Sequence, residues 1–552
     1  MVLAKQNNNS KYLVAYYTSK KKIDEEDLKD SISKELTEYM IPTAFVNVDN
    51  FKLTVNGKLD TKALPEPELK GETYVAASTK EEIKICNIFK ELLSIDQVGL
   101  RDDFFKLGGN SILAISLAHK LSKALNQEIK VSDVFTMKTP GQIIKAKNLN
   151  IDKVDYIKMA IEDSKLLDIK KDVATQKSSM PPRIALLTGA SGFLGIYLLS
   201  DLLKKVDFVY CLIRCKDEID GLKKIAKQAK KANLEINLSQ IKVVKGDLSS
   251  SSLDISDEVR EELAKNVDTI IHCGAYVHHL HNYKTLKAIN VNSLQSLLEL
   301  TIEHKIKSFN FVSTIGVPLV VAGLKEISET LVDEDPIVDN GYVLSKWVGE
   351  RLVSSFSKKY GIDTVITRPG NITGNTDTGF SNFEENHHWL FNKGCLQLGY
   401  YPKIEKDVEM MPVDILSKAI SALALAPRDG LVVRNLSSLE KIDIDSFFSY
   451  FRDAGFNIEA QNIKEWQKNL KDIGIENGLS KIKDFYTGKI LSYTSYDVDQ
   501  TRSLKELKSL GVSLEVDYGV ILPMYINYLR KIGFLPNPIV YEVSTKELVS
   551  EY

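Results

Sequence analysis

Tyr342 and Lys346 stand four residues apart and could together move a proton to or from a substrate oxygen. On a helix, side chains at this spacing share a face, so the phenol and the ammonium would be neighbours. A nearby cation favours the phenolate, and we therefore expect Lys346 to lower the pKa of Tyr342. Thr314, at the end of the run SFNFVST, could polarise a carbonyl and stabilise its oxyanion. The Tyr-x-x-x-Lys spacing is common by chance, so these three candidate catalytic residues depend on their context.

That context begins with a glycine-rich turn, TGASGFLG, directly after the apolar run IALLT and before the helical segment IYLLSDLLKK. Glycines allow a sharp turn and close approach of the backbone to a pyrophosphate, and the following helix presents free N–H groups to it. The alternative is a plain glycine-rich turn. Because strand, motif and helix occur in order, we predict dinucleotide binding by Gly189, Ser191, Gly192, Phe193, Leu194 and Gly195.

The end of the next strand, FVYCLIRC, distinguishes between the two nicotinamide dinucleotides. An NAD site places an acidic residue there, about 20 residues after the glycines, to hold the ribose hydroxyls. Arg214 occupies that place, with Lys224 nearby as a second cation. A guanidinium suits a 2′-phosphate, so we predict NADPH; the alternative is that both residues are solvated surface charges.

Apolar strand-like runs alternate with helical stretches from Arg183 onward, which predicts βαβ units. We expect an α/β fold, a Rossmann-type doubly wound parallel sheet, over 183–552, with the cofactor part at about 183–370. Aromatic residues gather after Asn371, and we interpret 371–552 as mainly a smaller C-terminal substrate lobe.

Two smaller parts precede this fold. Apolar residues at helical spacing predict a four-helix bundle over 75–150. Residues 1–67 combine the strand-like YLVAYY, a charged helical stretch from 24 to 38 and an Asn56-Gly57 tight turn, which indicates a small α+β subdomain. Polar linkers separate the parts, and the second, 151–180, could carry a helix between Asp155 and Leu167.

Composition excludes several classes of protein. The net charge is −2, from 72 basic and 74 acidic residues without a long block of one sign, so we expect no nucleic-acid partner. We find no apolar run of about 18 residues and no signal pattern, and expect no membrane association. Five sparse cysteines predict neither disulfides nor a metal site and favour the cytoplasm. We also expect a monomer.

The chain from about 183 to 540 resembles the extended short-chain dehydrogenase/reductase family, specifically the thioester-reductase domains that end some nonribosomal peptide synthetases and carboxylic acid reductases. The resemblance rests on LLTGASGFLG, YCLIRC, KGDL, IIHCGAYVHH, the pair Asn290-Val291, VSTIGV, YVLSKWVGE, TRPGNITG and MPVD. It departs from the family where HCGA replaces HxAA and where His278 replaces a frequent Asn. These departures concern the substrate pocket rather than the class of reaction.

This resemblance assigns further cofactor-binding residues. Asp247 and Leu248 would flank the adenine, Ala275 would line the cofactor, and Pro369, Asn371 and Ile372 would lie beside the nicotinamide. Tyr342 and Lys346 would contact the cofactor as well as act in catalysis.

Residues 75–150 resemble the carrier domain of the same synthetases, on the segment DFFKLGGNSI from 103 to 112. The match implies that 4′-phosphopantetheine is attached to Ser111 by a phosphopantetheinyl transferase, with Asn110 where His or Asp is usual. Ser111 also begins an apolar periodic segment, so the alternative is a helix N-cap.

Residues 1–67 resemble only the tail of an adenylation domain's C-terminal subdomain, on MIP at 40–42 and NGKLD at 56–60. The ATP-binding core of that family is absent from this sequence, so we predict no adenylation and no role for Lys58. The resemblance implies upstream synthetase domains as partners.

Taken together, the resemblance implies reductive release of a carrier-bound acyl or peptidyl thioester, giving an aldehyde and, after a second reduction, an alcohol. One alternative is an NAD(P)-dependent epimerase or dehydratase of the same fold, which leaves Ser111 unexplained. The other is a non-catalytic carrier and docking segment, against which the intact Thr314, Tyr342 and Lys346 argue.

Overall fold

The computed structural model describes residues 2–7, 10–19, 44–48, 74–148 and 155–536, with isolated positions between 20 and 73. Short gaps fall at 94, 110, 126–128, 130, 170, 279–280, 322–325, 385, 406, 471–472, 475–476, 483–485 and 487–496. The chain divides into two compact units, 1–155 with 280–282 and 156–279 with 283–552.

The first unit contains a small sheet and a set of helices. β1 (Val2–Asn7) pairs antiparallel with β2 (Ser10–Tyr17), which pairs parallel with β3 (Ala44–Asn47). The predicted helix at 24–38, the Asn56-Gly57 turn and Lys58 lie outside the described residues. The predicted four helices are present as α1 (Lys80–Leu93), α2 (Ser111–Leu125), α3 (Val131–Thr136) and α4 (Pro140–Asn148). Their buried apolar residues form one core around Phe89, Phe104 and Leu117.

The second unit begins with a helix in the predicted linker, α5 (Tyr156–Asp163). Asp163 at its end accepts hydrogen bonds from Tyr283 Oη (2.8 Å) and Lys287 Nζ (2.6 Å). The helical part of the predicted linker is therefore bonded to the rest of this unit.

The main sheet has seven parallel strands. Their bounds are β4 (Ile184–Thr188), β5 (Phe208–Ile213), β6 (Ile241–Lys245), β7 (Thr269–His272), β8 (Ser308–Val312), β10 (Thr364–Pro369) and β15 (Leu431–Leu436). They lie in the order β15-β10-β8-β7-β4-β5-β6. Most residues of these strands are buried, as expected when helices cover both sides of a parallel sheet. The predicted α/β class with a Rossmann-type sheet is confirmed.

Helices connect these strands. In chain order they are α6 (Phe193–Leu202), α7 (Glu218–Lys231), α8 (Asp257–Asn266), α9 (Tyr283–Lys287), a π-helical turn (Ala288–Asn292), α10 (Ser293–Ile302), α11 (Gly316–Leu319), α12 (Gly341–Tyr360) and α14 (Val413–Leu425). The longest, α12, begins where the Asn340 side chain accepts the Val343 N–H (3.2 Å) and ends at Gly361, whose φ of +64° suits a glycine cap.

Residues after 371 contribute to both the sheet and a separate lobe. β15 is the edge strand of the sheet, so the sheet extends beyond the predicted limit near 370. Sequence periodicity did not predict this last strand, because the long segment 370–430 separates it from β10. The region also contains β11 (Ile372–Thr373), α13 (His387–Leu398), β12 (Tyr400–Lys403), β13 (Asp407–Val408), β14 (Met411–Pro412), β16 (Ile442–Asp443), α15 (Ile444–Asp453), β17 (Glu459–Asn462), α16 (Ile463–Asn469), β18 (Asp497–Val498), α17 (Thr501–Ser509) and α18 (Tyr518–Lys531). β18 pairs with β9 (Glu326–Ile327), which precedes α12 in the chain.

An aromatic core that includes Trp389, Phe448, Trp466 and Tyr525 fills the lobe. Within the part of the chain that the structure describes, no helix has the length and apolar character needed to cross a bilayer.

Candidate active site

The loops that carry the predicted site residues follow strands of one parallel sheet. Residues 189–195 follow β4, Arg214 follows β5, 247–248 follow β6, 273–275 follow β7, Thr314 follows β8 and 370–372 follow β10. The carboxyl ends of parallel strands meet at one edge, which is where open α/β sheets bind ligands. The fold therefore brings these predicted residues to the same edge of the sheet.

The glycine-rich turn between β4 and α6 forms a cradle that only glycines fit. Gly189 has a φ of +78°, and a Cβ there would lie 2.8 Å from the nitrogen of Gly274. A Cβ on Gly195 would overlap the carbonyl oxygen of Gly189. Gly192 is the N-cap of α6 and offers no side chain to the first N–H groups of the helix. This geometry fits a dinucleotide pyrophosphate, which needs close backbone approach and free N–H donors.

The other residues of the turn differ in exposure. Ser191 and Phe193 are half-buried and Leu194 is buried. Thr188 supports the turn from below: its Oγ1 accepts the Gly274 N–H (3.0 Å) and lies 2.8 Å from His272 Nδ1. The β4 and β7 loops are thereby fixed to each other.

The two predicted cations near the ribose are placed differently. The Arg214 side chain is exposed at the end of β5. The Lys224 ammonium donates to the Arg214 carbonyl oxygen (3.0 Å) and pairs with Asp220 (3.0 Å). Arg214 is thus an exposed cation after β5, whereas the charge of Lys224 is partly satisfied within the protein.

Asp247, Leu248 and Ala275 lie on neighbouring loops and are half-buried. The Asp247 carboxylate accepts the Ser249 N–H (2.8 Å), which shapes the loop after β6. Leu248 Cδ1 would lie 2.6 Å from a Cβ on Gly274, so the β6 and β7 loops are in contact.

Tyr342 and Lys346 lie one turn apart on α12, as predicted. Lys346 is buried; its Nζ donates to the Val312 carbonyl oxygen (2.8 Å) and lies 4.9 Å from the centroid of the Phe311 ring. Burial lowers the pKa of Lys346 to about 8. The ammonium therefore anchors α12 to the end of β8, the strand that leads to Thr314.

The expectation that Lys346 lowers the pKa of Tyr342 is wrong for this structure. Burial raises the pKa of Tyr342, and the neighbouring Cys273 thiol adds to the effect. Helical spacing predicts that the two residues share a face of α12 but not the loss of water around the phenol, and this desolvation is the main cause of the raised pKa. The phenol is accordingly held in its protonated, donor form.

Thr314 is half-buried, and its Oγ1 accepts the Gly316 N–H (3.2 Å). Pro369 is buried, Ile372 is half-buried and Asn371 is exposed. The Pro369 carbonyl oxygen accepts the Ile315 N–H (2.9 Å), so the segment predicted to face the nicotinamide is bonded to the residue after Thr314.

Ser111 is the first residue of α2. The position of this residue at a helix start is compatible with both predictions, modification and capping. Ser111 belongs to the first unit and the reductive residues to the second.

Comparison with known proteins agrees with this arrangement. The male sterility protein family of NAD-binding domains matches residues 187–420, and the phosphopantetheine attachment site family matches residues 84–146. The crystal structure of the terminal R domain from the myxalamid PKS-NRPS pathway is 29% identical, with a TM-score of 0.65 over 70% of this chain and all of that one. The chain therefore contains a phosphopantetheine attachment domain followed by an NAD-binding domain, and the second of these is similar to the reductase domains of nonribosomal peptide synthetases.

The chain is also similar to three further proteins. One component of the linear gramicidin synthase of Brevibacillus parabrevis is 33% identical over 82% of this chain and 9% of its own length. The L-2-aminoadipate reductase of Saccharomyces cerevisiae is 31% identical over 96% of this chain and 42% of its own. A thiolation-reductase di-domain from an archaeal synthetase has the same fold, at 23% identity and a TM-score of 0.65 over 84% of this chain and all of that one. The chain thus spans less than half of the gramicidin synthase component and of the aminoadipate reductase.

Sequence reasoning missed several residues that position the site of the reductase domain. Asn290, in the π-helical turn, accepts the Tyr276 N–H (2.8 Å) and donates to the Tyr276 carbonyl oxygen (3.1 Å) and to Ser345 Oγ (3.0 Å). These hydrogen bonds connect the β7 loop to α12. The only sequence signal for Asn290 was its presence in a motif of the resembled family. Cys273, quoted only as a departure from the family, influences the pKa values of Tyr342 and Lys346.

Proposed function

We propose that the reductase domain releases an acyl or peptidyl group from the pantetheine arm on Ser111 by reducing its thioester with NADPH. The observation that carries this proposal is one sheet edge that holds a glycine cradle, an exposed Arg214 and the Thr314–Tyr342–Lys346 group, in a chain that also has a carrier domain. Because the chain spans only part of its curated relatives, its substrate and its upstream synthetase domains remain part of the proposal.

Bound NADPH would supply a hydride, and the loaded arm would supply the thioester carbonyl carbon that receives it. Gly189, Gly192 and Gly195 would bind the pyrophosphate, and Arg214 the 2′-phosphate. As the hydride adds, the carbonyl π-bond becomes an oxyanion that Thr314 and Tyr342 would stabilise, Tyr342 by donating its proton. Lys346 would hold α12 against β8 and supply positive charge beneath the phenol. The thiohemiacetal then loses its hydroxyl proton as the C–S bond breaks, the departing sulfur takes up a proton, and solvent returns a proton to Tyr342. The products are an aldehyde, a thiol and oxidised cofactor.

A second hydride transfer, from another NADPH to the aldehyde, would give an alcohol with the help of the same residues. The further partner that the proposal requires is a phosphopantetheinyl transferase to modify Ser111. The cytoplasmic location stays a prediction. The monomeric state and the absence of nucleic-acid and membrane partners stay predictions.

The test is NADPH oxidation by the chain after its carrier has been loaded with an acyl-pantetheine. We expect oxidation to depend on loading and an aldehyde to appear. Turnover of a nucleotide sugar without loading would favour an epimerase or dehydratase instead. Binding of NADPH without oxidation of any loaded acyl group tested would favour a non-catalytic carrier and docking segment.

A further inference from the structure

Glu409 lies just before β14 and binds segments that are far apart in the sequence. Its carboxylate accepts hydrogen bonds from Ser437 Oγ (2.5 Å) and the Ser438 N–H (3.2 Å), which follow β15. It also accepts a hydrogen bond from the backbone of Asn371, which follows β10. Two of the three partners are backbone N–H groups, which can only donate, so the residue at this place must offer hydrogen-bond acceptors, as the carboxyl oxygens of Glu409 do.

The same carboxylate fills the space beside Gly370. A Cβ on Gly370 would overlap Glu409 Oε1 and lie 2.8 Å from Oε2. Residue 370 must therefore lack a side chain as long as Glu409 occupies this space.

The backbone around Gly370 connects this arrangement to the reacting groups. The Gly370 N–H donates to the Leu436 carbonyl oxygen (2.9 Å), and the Met411 N–H donates to the Asn371 carbonyl oxygen (2.8 Å). On the other side, the Pro369 carbonyl oxygen accepts the Ile315 N–H (2.9 Å). A shift of the 369–372 segment would therefore be transmitted to Thr314.

Glu409 is also connected to the C-terminal lobe. Tyr518 Oη on α18 lies 2.9 Å from Ser438 Oγ and accepts the Met410 N–H (3.1 Å). Tyr518 belongs to the aromatic core of the lobe. The lobe and the end of β10 thus meet around one carboxylate.

We propose that Glu409 is a positioning residue for the reduction: by lying against Gly370 and accepting the Asn371 hydrogen bond, it holds residues 369–372 where the nicotinamide and Thr314 must meet the thioester. This inference rests on the proposed function. It explains why an acid stands at 409 and why residue 370 has no side chain.

The test compares Glu409→Gln with wild type in the loaded chain, measuring kcat, the Kd for NADPH and the unfolding midpoint in urea. Gln keeps the size but turns an NH2 group towards the donors. We expect kcat to fall at least about tenfold, because small misplacement of reacting groups is costly. The Kd should rise less than about threefold, because the phosphates would be bound by the glycine turn after β4 and not by residues 369–372. Asp201→Asn is the matched control: it weakens a similar buried contact, from Ser417 Oγ (2.6 Å), and should leave kcat within about twofold of wild type.

A double-mutant cycle tests the pairing with Gly370. Gly370→Ala alone should lower kcat, whereas Gly370→Ala combined with Glu409→Ala should lower it little beyond Glu409→Ala, because the methyl group enters the vacated space. Three results would each overturn the inference. The first is a kcat of the double variant that equals the product of the two single losses, and the second is a wild-type kcat in Glu409→Gln. The third is an equal loss of kcat in Asp201→Asn when the two variants are equally destabilised. A wild-type chain that neither binds nor oxidises NADPH would instead overturn the proposed function, and the inference with it.

Discussion

Glu350 on α12 and Arg368 on β10 form a buried bidentate ion pair, with Arg368 Nε 2.9 Å from Oε1 and Nη2 2.6 Å from Oε2. Ser313 Oγ donates to the same carboxylate (2.5 Å). Each member stands next to a proposed site residue: Ser313 precedes Thr314, Glu350 is one turn from Lys346, and Arg368 precedes Pro369. One buried network therefore fixes the relative positions of three parts of the site.

Breaking this pair should destabilise the domain strongly. Glu350→Gln leaves the Arg368 charge buried without its counterion, and we expect the free energy of unfolding in urea to fall by about 3–5 kcal/mol. Asp333→Asn is the control, because the Asp333–Arg351 pair (3.0 Å) is largely exposed on the aspartate side. Exposed pairs contribute at most about 1 kcal/mol. Equal losses in the two variants would contradict the role given to the network.

Tyr342→Phe should abolish most of the activity while leaving cofactor binding intact. The phenylalanine keeps the ring but removes the only proton donor assigned to the developing oxyanion, and we expect kcat to fall by about 10² to 10⁴. NADPH affinity by fluorescence titration should change little. Tyr360→Phe, at the far end of α12, is the control and should behave as wild type. Aldehyde release at the wild-type rate by Tyr342→Phe would remove Tyr342 from the mechanism.

The pH dependence of kcat/KM should report Lys346. Its pKa is lowered to about 8 by burial, so the ammonium is present below that pH and is lost as the pH rises through it. We expect kcat/KM to decline above about pH 8, because the proton donor then loses its neighbouring cation. Lys346→Arg, if active, should lack this decline, since a guanidinium keeps its charge up to about pH 12. A flat wild-type profile up to about pH 10 would contradict the assignment.

Cofactor choice should depend on Arg214. Replacing Arg214 by Ala removes the exposed cation after β5, and we expect the preference for NADPH over NADH, as a ratio of kcat/KM values, to fall about tenfold or more. Lys216→Ala, two residues away on the same loop, is the control. An unchanged ratio in Arg214→Ala would show that the 2′-phosphate is recognised elsewhere.

Local signals in the sequence predicted much of this domain. Gly189, Gly192 and Gly195 are recognisable because strand, turn and helix are contiguous, and Tyr342 and Lys346 because they share one helical face. The sequence could not reveal contacts between distant segments: Glu409 lies 39 residues after Gly370 and meets it only in the folded chain. Helical spacing also led to the wrong direction for the Tyr342 pKa, because the extent of burial depends on tertiary packing.

The most direct test of the central claim is isotope transfer within one chain. The carrier is loaded with an acyl-pantetheine at Ser111, given NADPH deuterated at the transferable position of the nicotinamide, and the released product is analysed by mass spectrometry. We predict an aldehyde that carries the deuterium at its carbonyl carbon, and no such product from Ser111→Ala. Release of the free carboxylic acid, or an aldehyde without deuterium when either face of the nicotinamide is labelled, would contradict reductive release by this domain.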